Sequence, residues 1–437
     1  MARLFKVTLI KRFIDSFREE GPKEAFRKAR TYAGMKLRRL GAGTVGQTTV
    51  GHMRSDDQYL HGIWQDLARQ DAFHITNAPA VHQKRRQIAM IGDLNLPQCR
   101  KYRVEQLAAF WRARGVDFDY SHYQDVPRSA RILQNATHLM EYRLQTMPVT
   151  EMLRYEARRL RLPVLFDLDD PLFSVSAYET YRNMESVGPE LKAHFLSEAP
   201  KYLSMMNGAD ILQVSTPGMV EHTKLYTPRP VHLRRNFADE ETLNAGNAAI
   251  ASRPADDGLF RVAFASGSQG HEIDLAEILA PLAAFIQAKS NRRLMLIGHF
   301  KPEHLPEGLI DQIETTKFGT YGLYLEALAM ANCAVMPLCD DIFNRCKSAV
   351  RVIDASAVAV PSLVGTVGDL SAVVKHGETG FVSQDVSDWI DALETLAADP
   401  ALGRKMGQAA RQELETRWHG SDGAHIISPE VLKWVEA

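Results

Sequence analysis

The sequence predicts an α/β protein with two Rossmann-like, doubly wound domains that face each other across a cleft, preceded by a helical extension. Short apolar runs that end in Gly or a polar residue alternate with helical patterns, as in parallel sheets with crossover helices. This alternation begins near residue 86, stops at a Ser, Pro, Asp and Gly linker near 251–258, and begins again at Leu259. The 437 residues also exceed what one hydrophobic core holds.

These observations divide the chain into four parts. We expect an extension and connector at 1–85, a first domain at 86–250, a second domain at 258–420 and a tail at 421–437. No internal repeat of 20–50 residues is visible, so a solenoid is excluded.

Composition excludes several classes of protein. Hydrophobic residues make up 45% and charged residues 24% of the chain, as in ordinary soluble proteins. A net charge of −1 gives no overall field that would attract nucleic acid. The four cysteines have no C-x-x-C spacing, so we expect reduced thiols in a cytoplasmic protein and no zinc site. No apolar run approaches the ~18 residues of a membrane-spanning helix.

The extension differs in charge from the rest of the chain. Residues 1–40 hold 12 Lys and Arg against 4 Asp and Glu, and they carry apolar side chains at helical spacing. Charges interrupt every apolar stretch, which argues against a signal peptide. Two interpretations remain open: a helix packed on the protein with a solvated basic face, or an interfacial helix on an anionic membrane surface.

The first domain starts at the apolar run Gln87 to Gly92, so Gly92 and Asp93 are expected at a strand's carboxyl end. The other predicted elements are strands and helices that alternate along the chain. The strands are Thr137 to Tyr142, Pro163 to Phe166, Ile211 to Ser215 and Val231 to Leu233, and the helices are Gln98 to Arg114, Val149 to Leu160 and Glu190 to Met206.

The second domain starts at the strand Leu259 to Phe264. A Ser/Gly loop then opens a predicted helix from Glu272 to Ala288, where backbone N–H groups could meet phosphate or Ser268 could simply cap the helix. A strand from Arg293 to Ile297 ends in Gly298. Further helices are predicted at Tyr321 to Ala331, Asp385 to Ala398 and Leu402 to Trp418.

The segment 333–381 carries the densest pattern. An apolar strand (Cys333 to Leu338) leads into a polar loop, then into a helix predicted from about Lys347 to Val358 and a short strand from Val360 to Val364. The Gly-flanked loop His376-Gly377-Glu378-Thr379-Gly380 follows. Because ligands of open parallel sheets bind beyond the carboxyl ends of the strands, we expect both polar loops at the ligand side.

The pattern FN-x-x-KS, a carboxylate seven residues after the Lys, A-x-A-x-x-VP and HGETGF resembles the nucleotide-sugar site of GT-B glycosyltransferases of the family 4 type (glycosyl transferases group 1). The SGS-x-x-H pattern at 266–271 and Gly298 agree with it. The resemblance implies a retaining, metal-independent transferase that needs no cofactor beyond its nucleotide-sugar co-substrate. It implies a donor site formed by Gly267, Ser268, His271, Gly298, Asn344, Ser348, Asp354, His376, Glu378, Thr379 and Gly380.

Lys347 is the best candidate for a catalytic cation. Transfer from a nucleotide sugar requires that the charge on the leaving diphosphate be neutralised. A Lys in the first turn of a helix is mildly unfavourable for the helix, which favours a functional role over a surface one. Asp354 lies where the resembled family holds the nucleotide ribose with a glutamate, but Cys346 stands where the family has its partner carboxylate. His271 has two interpretations, a local cap or a phosphate contact.

The sequence Asp167-Leu168-Asp169-Asp170 at the end of a predicted strand has several interpretations. It resembles the first motif of haloacid-dehalogenase phosphatases, but Asp170-Pro171 replaces the expected Gly-Thr. A metal-binding D-x-D of GT-A transferases and simple capping are alternatives. We favour a catalytic role for the three aspartates, facing the cleft from the acceptor side, where Gly92 and Asp93 are expected to bind the acceptor.

These features predict transfer of a sugar from a nucleoside-diphosphate sugar to a glycan or lipid-linked hydroxyl acceptor, in bacterial polysaccharide or surface-glycan assembly. The protein is expected in the cytoplasm or on the inner face of the cytoplasmic membrane. Two alternatives remain: a catalytically idle GT-B-like binding or scaffold subunit, because of Cys346, and the phosphatase at Asp167 and Asp169.

Overall fold

The computed structural model describes residues 85–266, 271–298, 305–317 and 319–436, with positions 22, 26, 29 and 30. The basic extension lies almost wholly outside these residues, as do Gly267 and Ser268, so what was predicted for them stays a prediction. No helix in the described part of the chain has the length and apolar character needed to cross a bilayer.

Six parallel strands form the first sheet, in the order β2-β1-β3-β4-β5-β6. The strands are β1 (Gln87–Gly92), β2 (Asp117–His122), β3 (His138–Tyr142), β4 (Val164–Leu168), β5 (Ile211–Val214) and β6 (Val231–Leu233). Strand β1 has the predicted bounds and is buried from Ile88 onward, as in a strand with helices on both faces. Strand β2 was not predicted, because D-F-D-Y-S-H carries polar residues at alternate positions on a sheet edge.

The second sheet repeats this design. Its six parallel strands have the order β12-β11-β10-β7-β8-β9. The strands are β7 (Phe260–Ser266), β8 (Arg292–Gly298), β9 (Ile313–Thr316), β10 (Cys333–Met336), β11 (Ser362–Gly365) and β12 (Gly380–Ser383). The two-sheet α/β fold class is therefore confirmed, although β9 and β12, which are short edge strands, were not predicted.

Helices flank both sheets. Those before the second sheet are α1 (Pro97–Arg100), α2 (Gln106–Ala113), α3 (Val126–Asn135), α4 (Pro148–Arg159), α5 (Val175–Thr180), α6 (Pro189–Asn207), α7 (Pro217–Lys224) and α8 (Glu240–Ala251). A π-helical turn at Lys101–Glu105 joins α1 to α2, and a 3₁₀ turn at Arg182–Ser186 follows α5.

The later helices are α9 (Glu272–Gln287), α10 (Tyr321–Ala329), α11 (Ile342–Arg345), α12 (Val350–Ala357), α13 (Val386–Ala398), α14 (Pro400–Arg417) and α15 (Pro429–Glu436). Two further 3₁₀ turns occupy Glu307–Gln312 and Leu370–Ala372.

The predicted helix start at Lys347 is wrong. The polar loop contains the short helix α11, which Asp341 caps by accepting a hydrogen bond from the backbone N–H of Asn344 at 2.8 Å. The next helix, α12, begins only at Val350. Lys347 therefore lies in the turn between two helices, and it does not carry the unfavourable first-turn charge on which its functional role was predicted.

The chain returns to the first domain after α14. Bridges join Ala238 to His419 and Arg234 to Ile427, and α15 then packs beside β3. There His138 Nε2 contacts the carbonyl oxygen of Trp434 at 3.0 Å. The buried apolar side chains of α15 join a cluster that includes residues of both sheets.

Candidate active site

The carboxyl ends of strands from both sheets meet in one place. Strands β3 and β4 end at Tyr142 and Leu168, and the segments after β10 and β11 supply the opposing side. Polar contacts join the two domains at this junction. In several of them a first-domain residue contacts a residue of segment 274–354. Among these contacts are Asp170 with Lys347, Asn236 with Ser348, Thr216 with Cys346, Tyr102 with Asp354, and Asn183 with Asp274.

Lys347 and Asp170 form an ion pair across this junction. The Lys347 Nζ lies 3.4 Å from Asp170 Oδ1 and 4.8 Å from the centre of the Phe343 ring. Burial alone would raise the pKa of Asp170, but the charges of Lys347 and Arg143 outweigh it, so this pKa is lowered. Burial alone would lower the pKa of Lys347, but Asp170, Tyr181 and Asp274 together outweigh it, so this pKa is raised. Both groups are therefore charged at neutral pH.

Arg143 holds the carboxylates of the acidic loop. Its Nε donates to Asp169 and its Nη2 donates to Asp170 Oδ2 at 2.5 Å. Asp169 also accepts a hydrogen bond from the Tyr142 hydroxyl at 3.1 Å. The Arg143 backbone has φ of 49°, which is a strained conformation for a side chain of this size. Strain of this kind at the end of a strand fits a residue whose side chain must be aimed at a site.

Asp167 does not face the cleft, which corrects its prediction as a catalytic residue. Its side chain has 0% exposure and forms two bonds with Arg103, at 2.9 and 2.5 Å. Gln213 donates to the same carboxylate. A carboxylate enclosed in this way cannot attack a phosphate, so the phosphatase interpretation is also removed. Asp167 neutralises a buried guanidinium instead.

Asp354 is enclosed by tyrosines. Tyr102, from the first domain, donates to its Oδ1, and Tyr321 donates to the same oxygen at 2.8 Å. Burial is the main cause that raises the pKa of Asp354 to about 6, and the tyrosine hydrogen bonds oppose this rise. Asp354, the predicted ribose-binding residue, thus lies at the interdomain junction, where its Oδ1 accepts a hydrogen bond from Tyr102.

Asn344 and His271 share one buried carboxylate, that of Asp274. Asp274 accepts from Asn344 Nδ2 and the Cys339 N–H, both at 3.0 Å. Its other oxygen accepts from Asn183 Nδ2 at 2.7 Å and lies 2.8 Å from His271 Nδ1. These bonds outweigh burial and lower the pKa of Asp274 to about 2. The Asn344 amide N–H groups are therefore used within the protein, while its buried Oδ1 has no partner among the described residues.

The loop from His376 to Gly380 lies at the wrong edge for a donor contact. It directly precedes β12, which runs parallel to β11, so the loop is at the amino ends of the strands. It closes on itself: the Gly377 N–H donates to the Gly380 carbonyl oxygen at 2.8 Å, and Thr379 Oγ1 accepts from the Lys375 N–H at 2.8 Å. The donor-side prediction for His376, Glu378, Thr379 and Gly380 is wrong.

The segment that follows β11 occupies the ligand-side edge instead. Gly368 has φ of 76°, and a Cβ built there would lie 2.9 Å from the Asn344 carbonyl oxygen. The Asp369 N–H donates to the Lys347 carbonyl oxygen at 2.9 Å, and the Asp369 carboxylate pairs with Arg235. Gly365 at the end of β11 and Gly368 after it were the sequence signal for this loop.

The remaining predicted residues lie at the expected edges. Gly92 ends β1 and packs on Tyr142, and the Asp93 N–H donates to the Tyr142 carbonyl oxygen at 3.1 Å. Gly298 ends β8 with φ of 99°, beside Ser266 of β7. Ser348 Oγ accepts from Asn236 Nδ2 at 3.2 Å. Cys346, by contrast, is buried in the apolar core of the first domain.

Two parallel six-stranded sheets with a polar site between their carboxyl ends define the GT-B class of fold. Sucrose-phosphate synthase from Thermosynechococcus elongatus aligns at a TM-score of 0.50 and 15% identity, over 77% of this chain and 95% of that chain. HepE of Anabaena, solved in complex with UDP and glucose, aligns at 0.52 and 11% identity, over 80% and 100%. WaaG, a glycosyltransferase involved in lipopolysaccharide biosynthesis, aligns at 0.50 and 12% identity, over 80% and 99%.

Residues 261–399, which lie in the second domain, match the family model of glycosyl transferases group 1. The resemblance of the FN-x-x-KS segment to that family is therefore confirmed at the level of the domain.

Two curated relatives match part of the chain. The D-inositol 3-phosphate glycosyltransferase of Streptomyces avermitilis is 36% identical over 87 residues, which are 20% of this chain and 18% of the relative. That of Rhodococcus opacus is 26% identical over 190 residues, 43% and 36%. The matched part thus spans about a third or less of these relatives.

Proposed function

We propose that this chain moves a sugar from a nucleoside-diphosphate sugar to a hydroxyl group of an acceptor. The observation that carries the proposal is the junction of Lys347 with Asp170. A cation from the glycosyltransferase domain meets an acidic loop of the first domain where the carboxyl ends of both sheets converge. A charge that can neutralise a leaving diphosphate therefore lies next to a carboxylate on the acceptor side.

In this proposal the second domain binds the donor and the first domain binds the acceptor. Lys347 neutralises the charge that develops on the leaving diphosphate, while Arg143 holds Asp169 and Asp170 at the acceptor side. The sugar keeps its anomeric configuration, no metal is needed, and the leaving phosphate guides the incoming hydroxyl. The setting of this proposal is bacterial polysaccharide or glycan assembly, and its support is WaaG, a structural neighbour involved in lipopolysaccharide biosynthesis.

Thermal unfolding in the presence of UDP, GDP, dTDP or CMP tests which nucleotide the donor site binds. UDP is the first candidate, because HepE was solved with it. A nucleotide at 100 times its dissociation constant should stabilise the protein by about 2.7 kcal/mol. Transfer assays with and without EDTA then test whether the reaction needs a metal ion. NMR of the product shows whether the sugar keeps its anomeric configuration. Activity lost in EDTA, or an inverted product, would contradict those parts of the proposal.

A catalytically idle subunit is the second candidate. The burial of Cys346 at the position of the usual carboxylate and the engagement of Asp354 by Tyr102 favour it. An idle protein would bind a nucleotide sugar or none, without releasing nucleoside diphosphate. Slow hydrolysis of UDP-sugars above the rate in buffer, abolished by Lys347→Met, would exclude this candidate.

A further inference from the structure

Arg351 is a half-buried cation that forms no ion pair in the described part of the chain. It is the second residue of α12, at the ligand-side edge of the second sheet. Its Nη1 is buried and has no hydrogen-bond partner among the residues that the structure describes. Burial of a charged donor without a partner destabilises a folded protein. A positive charge in the first turn also opposes the helix dipole, so the fold of α12 gives no reason for an arginine here.

The neighbouring carboxylate of Asp274 makes no hydrogen bond or ion pair to Arg351 in the described part of the chain. Arg351 interacts electrostatically with Asp274, Tyr324 and Tyr181, yet burial dominates and lowers its pKa. The two oxygens of Asp274 already contact four polar groups, which fills the capacity of a carboxylate. The hydrogen-bonding capacity of Asp274 is therefore used by other groups, so Asp274 acts on Arg351 through its charge and not through a hydrogen bond.

Lys347 and His271 belong to the same electrostatic environment. Burial is the main cause that lowers the pKa of His271, and the charges of Arg351 and then Lys347 lower it further. Lys347 has its own counter-ion, because Asp170 lies 3.4 Å from its Nζ. Arg351 has none within ion-pair distance in the described part of the chain. Lys347 is thus held by an ion pair, whereas the Arg351 guanidinium is held by none.

We propose that Arg351 binds the diphosphate of the donor, with His271 as a second contact, and that it is the principal cation for ground-state binding. The inference rests on the proposed function and deepens it, because it assigns the diphosphate to a residue that the motif did not identify. A guanidinium can donate two parallel hydrogen bonds to phosphate oxygens, which an ammonium cannot. Lys347, already paired, then acts mainly as the leaving group gains charge.

The test compares Arg351→Met, Arg351→Lys and Arg404→Met in the full chain. Arg404 is an exposed arginine of α14 that lines a cavity near Asn332 and Pro361, which precede strands β10 and β11, so Arg404→Met is a matched control. Calorimetry measures the affinity of each protein for UDP, uridine and inorganic pyrophosphate. We expect Arg351→Met to weaken the binding of UDP and pyrophosphate by about 10- to 100-fold, which corresponds to the loss of one charge-assisted hydrogen bond. The affinity for uridine should not change. Arg351→Lys should recover only part of this loss.

A second readout is the ligand-free stability. Removal of a guanidinium whose Nη1 is buried without a partner should raise the unfolding temperature of Arg351→Met, whereas loss of a structural contact would lower it. A lower unfolding temperature or failure to fold would overturn the inference, since Arg351 would then have a partner within the fold. Arg404→Met should change neither the affinities nor the unfolding temperature.

The remaining outcomes separate this inference from the proposed function. Equal UDP affinity in wild type and Arg351→Met, or equal losses for uridine and UDP, would overturn the inference alone. Pyrophosphate that binds the wild type and is lost in Arg351→Met, with no nucleotide bound by either protein, would support the anion site and reject the nucleotide-sugar donor. Absence of both nucleotide and pyrophosphate binding in the wild type would overturn both.

Discussion

Replacement of Asp354 by Asn gives the sharpest test of the interdomain junction. Tyr102 and Tyr321 both donate to one oxygen, Oδ1, so the Asn side chain keeps the acceptor that both hydroxyls need. The substitution therefore removes a titrating charge with little change in geometry. It tests whether this carboxylate, at 4% exposure, is buried between the domains.

The expected change in the free energy of unfolding follows from the pKa of Asp354. Burial raises the pKa of Asp354 from 3.8 to about 6, and one unit corresponds to about 1.36 kcal/mol. Between these two values the folded protein holds a proton that the unfolded chain has released. The free energy of unfolding therefore falls as pH rises through this window, by about 3 kcal/mol in total, and is constant above it. Asp354→Asn cannot titrate and should lack this fall.

The assay is urea denaturation of both proteins at half-unit steps from pH 4 to 7.5. The unfolding free energy of Asp354→Asn relative to wild type should rise by about 2.5 kcal/mol across this range, because part of the window lies below pH 4. Asp340→Asn is the control. Asp340 is exposed and its pKa is lowered by Arg345, so its small contribution has the opposite sign and is lost as pH falls. A difference between Asp354→Asn and wild type that stays constant with pH would refute the burial of Asp354 at this junction.

Three further predictions concern other parts of the chain. Lys347→Met should fold and lose about 100-fold or more in kcat/KM, measured by nucleoside diphosphate release, and Lys347→Arg should recover little; wild-type turnover would remove Lys347 from the mechanism. Asp167→Asn leaves Arg103 with a buried, unpaired charge, so chemical denaturation should show a loss of about 3–5 kcal/mol while turnover of the folded fraction is retained. Deletion of residues 1–40 should abolish flotation with anionic liposomes, and equal flotation of both proteins would contradict a membrane role.

Buried strands and their helices could be predicted because burial on both faces leaves a continuous apolar run. Strand β1 shows this, since Ile88 to Ile91 are all enclosed. The edge strands β2, β9 and β12 lack that signal. The loop from His376 to Gly380 was assigned to the wrong edge for the same reason. A turn with two glycines fits either end of a strand, and the deciding strand, β12, has only four residues.

The site was predictable only where its residues are close in sequence. The FN-x-x-KS segment and Asp354 lie within one stretch, and the structure brings them to the ligand-side edge. Tyr102 meets Asp354 across 252 positions, and Asn183 meets Asp274 across 91. Such pairs leave no spacing pattern in a single sequence. Asp167 shows the converse, because D-x-D-D looks uniform while only Asp169 and Asp170 reach the cleft.

The return of the chain to the first domain determines how this protein can be dissected. Residues 251–258 are exposed, and a cut there separates the two sheets along the chain. The fragment that starts at residue 258, however, carries α15, whose Val431 and Val435 are fully buried against the first domain. This fragment would expose the apolar face of α15 to water. The fragment that ends before residue 258 would lack α15, which packs beside β3. The two pieces are thus suited to reassemble when mixed, and neither is a clean single domain.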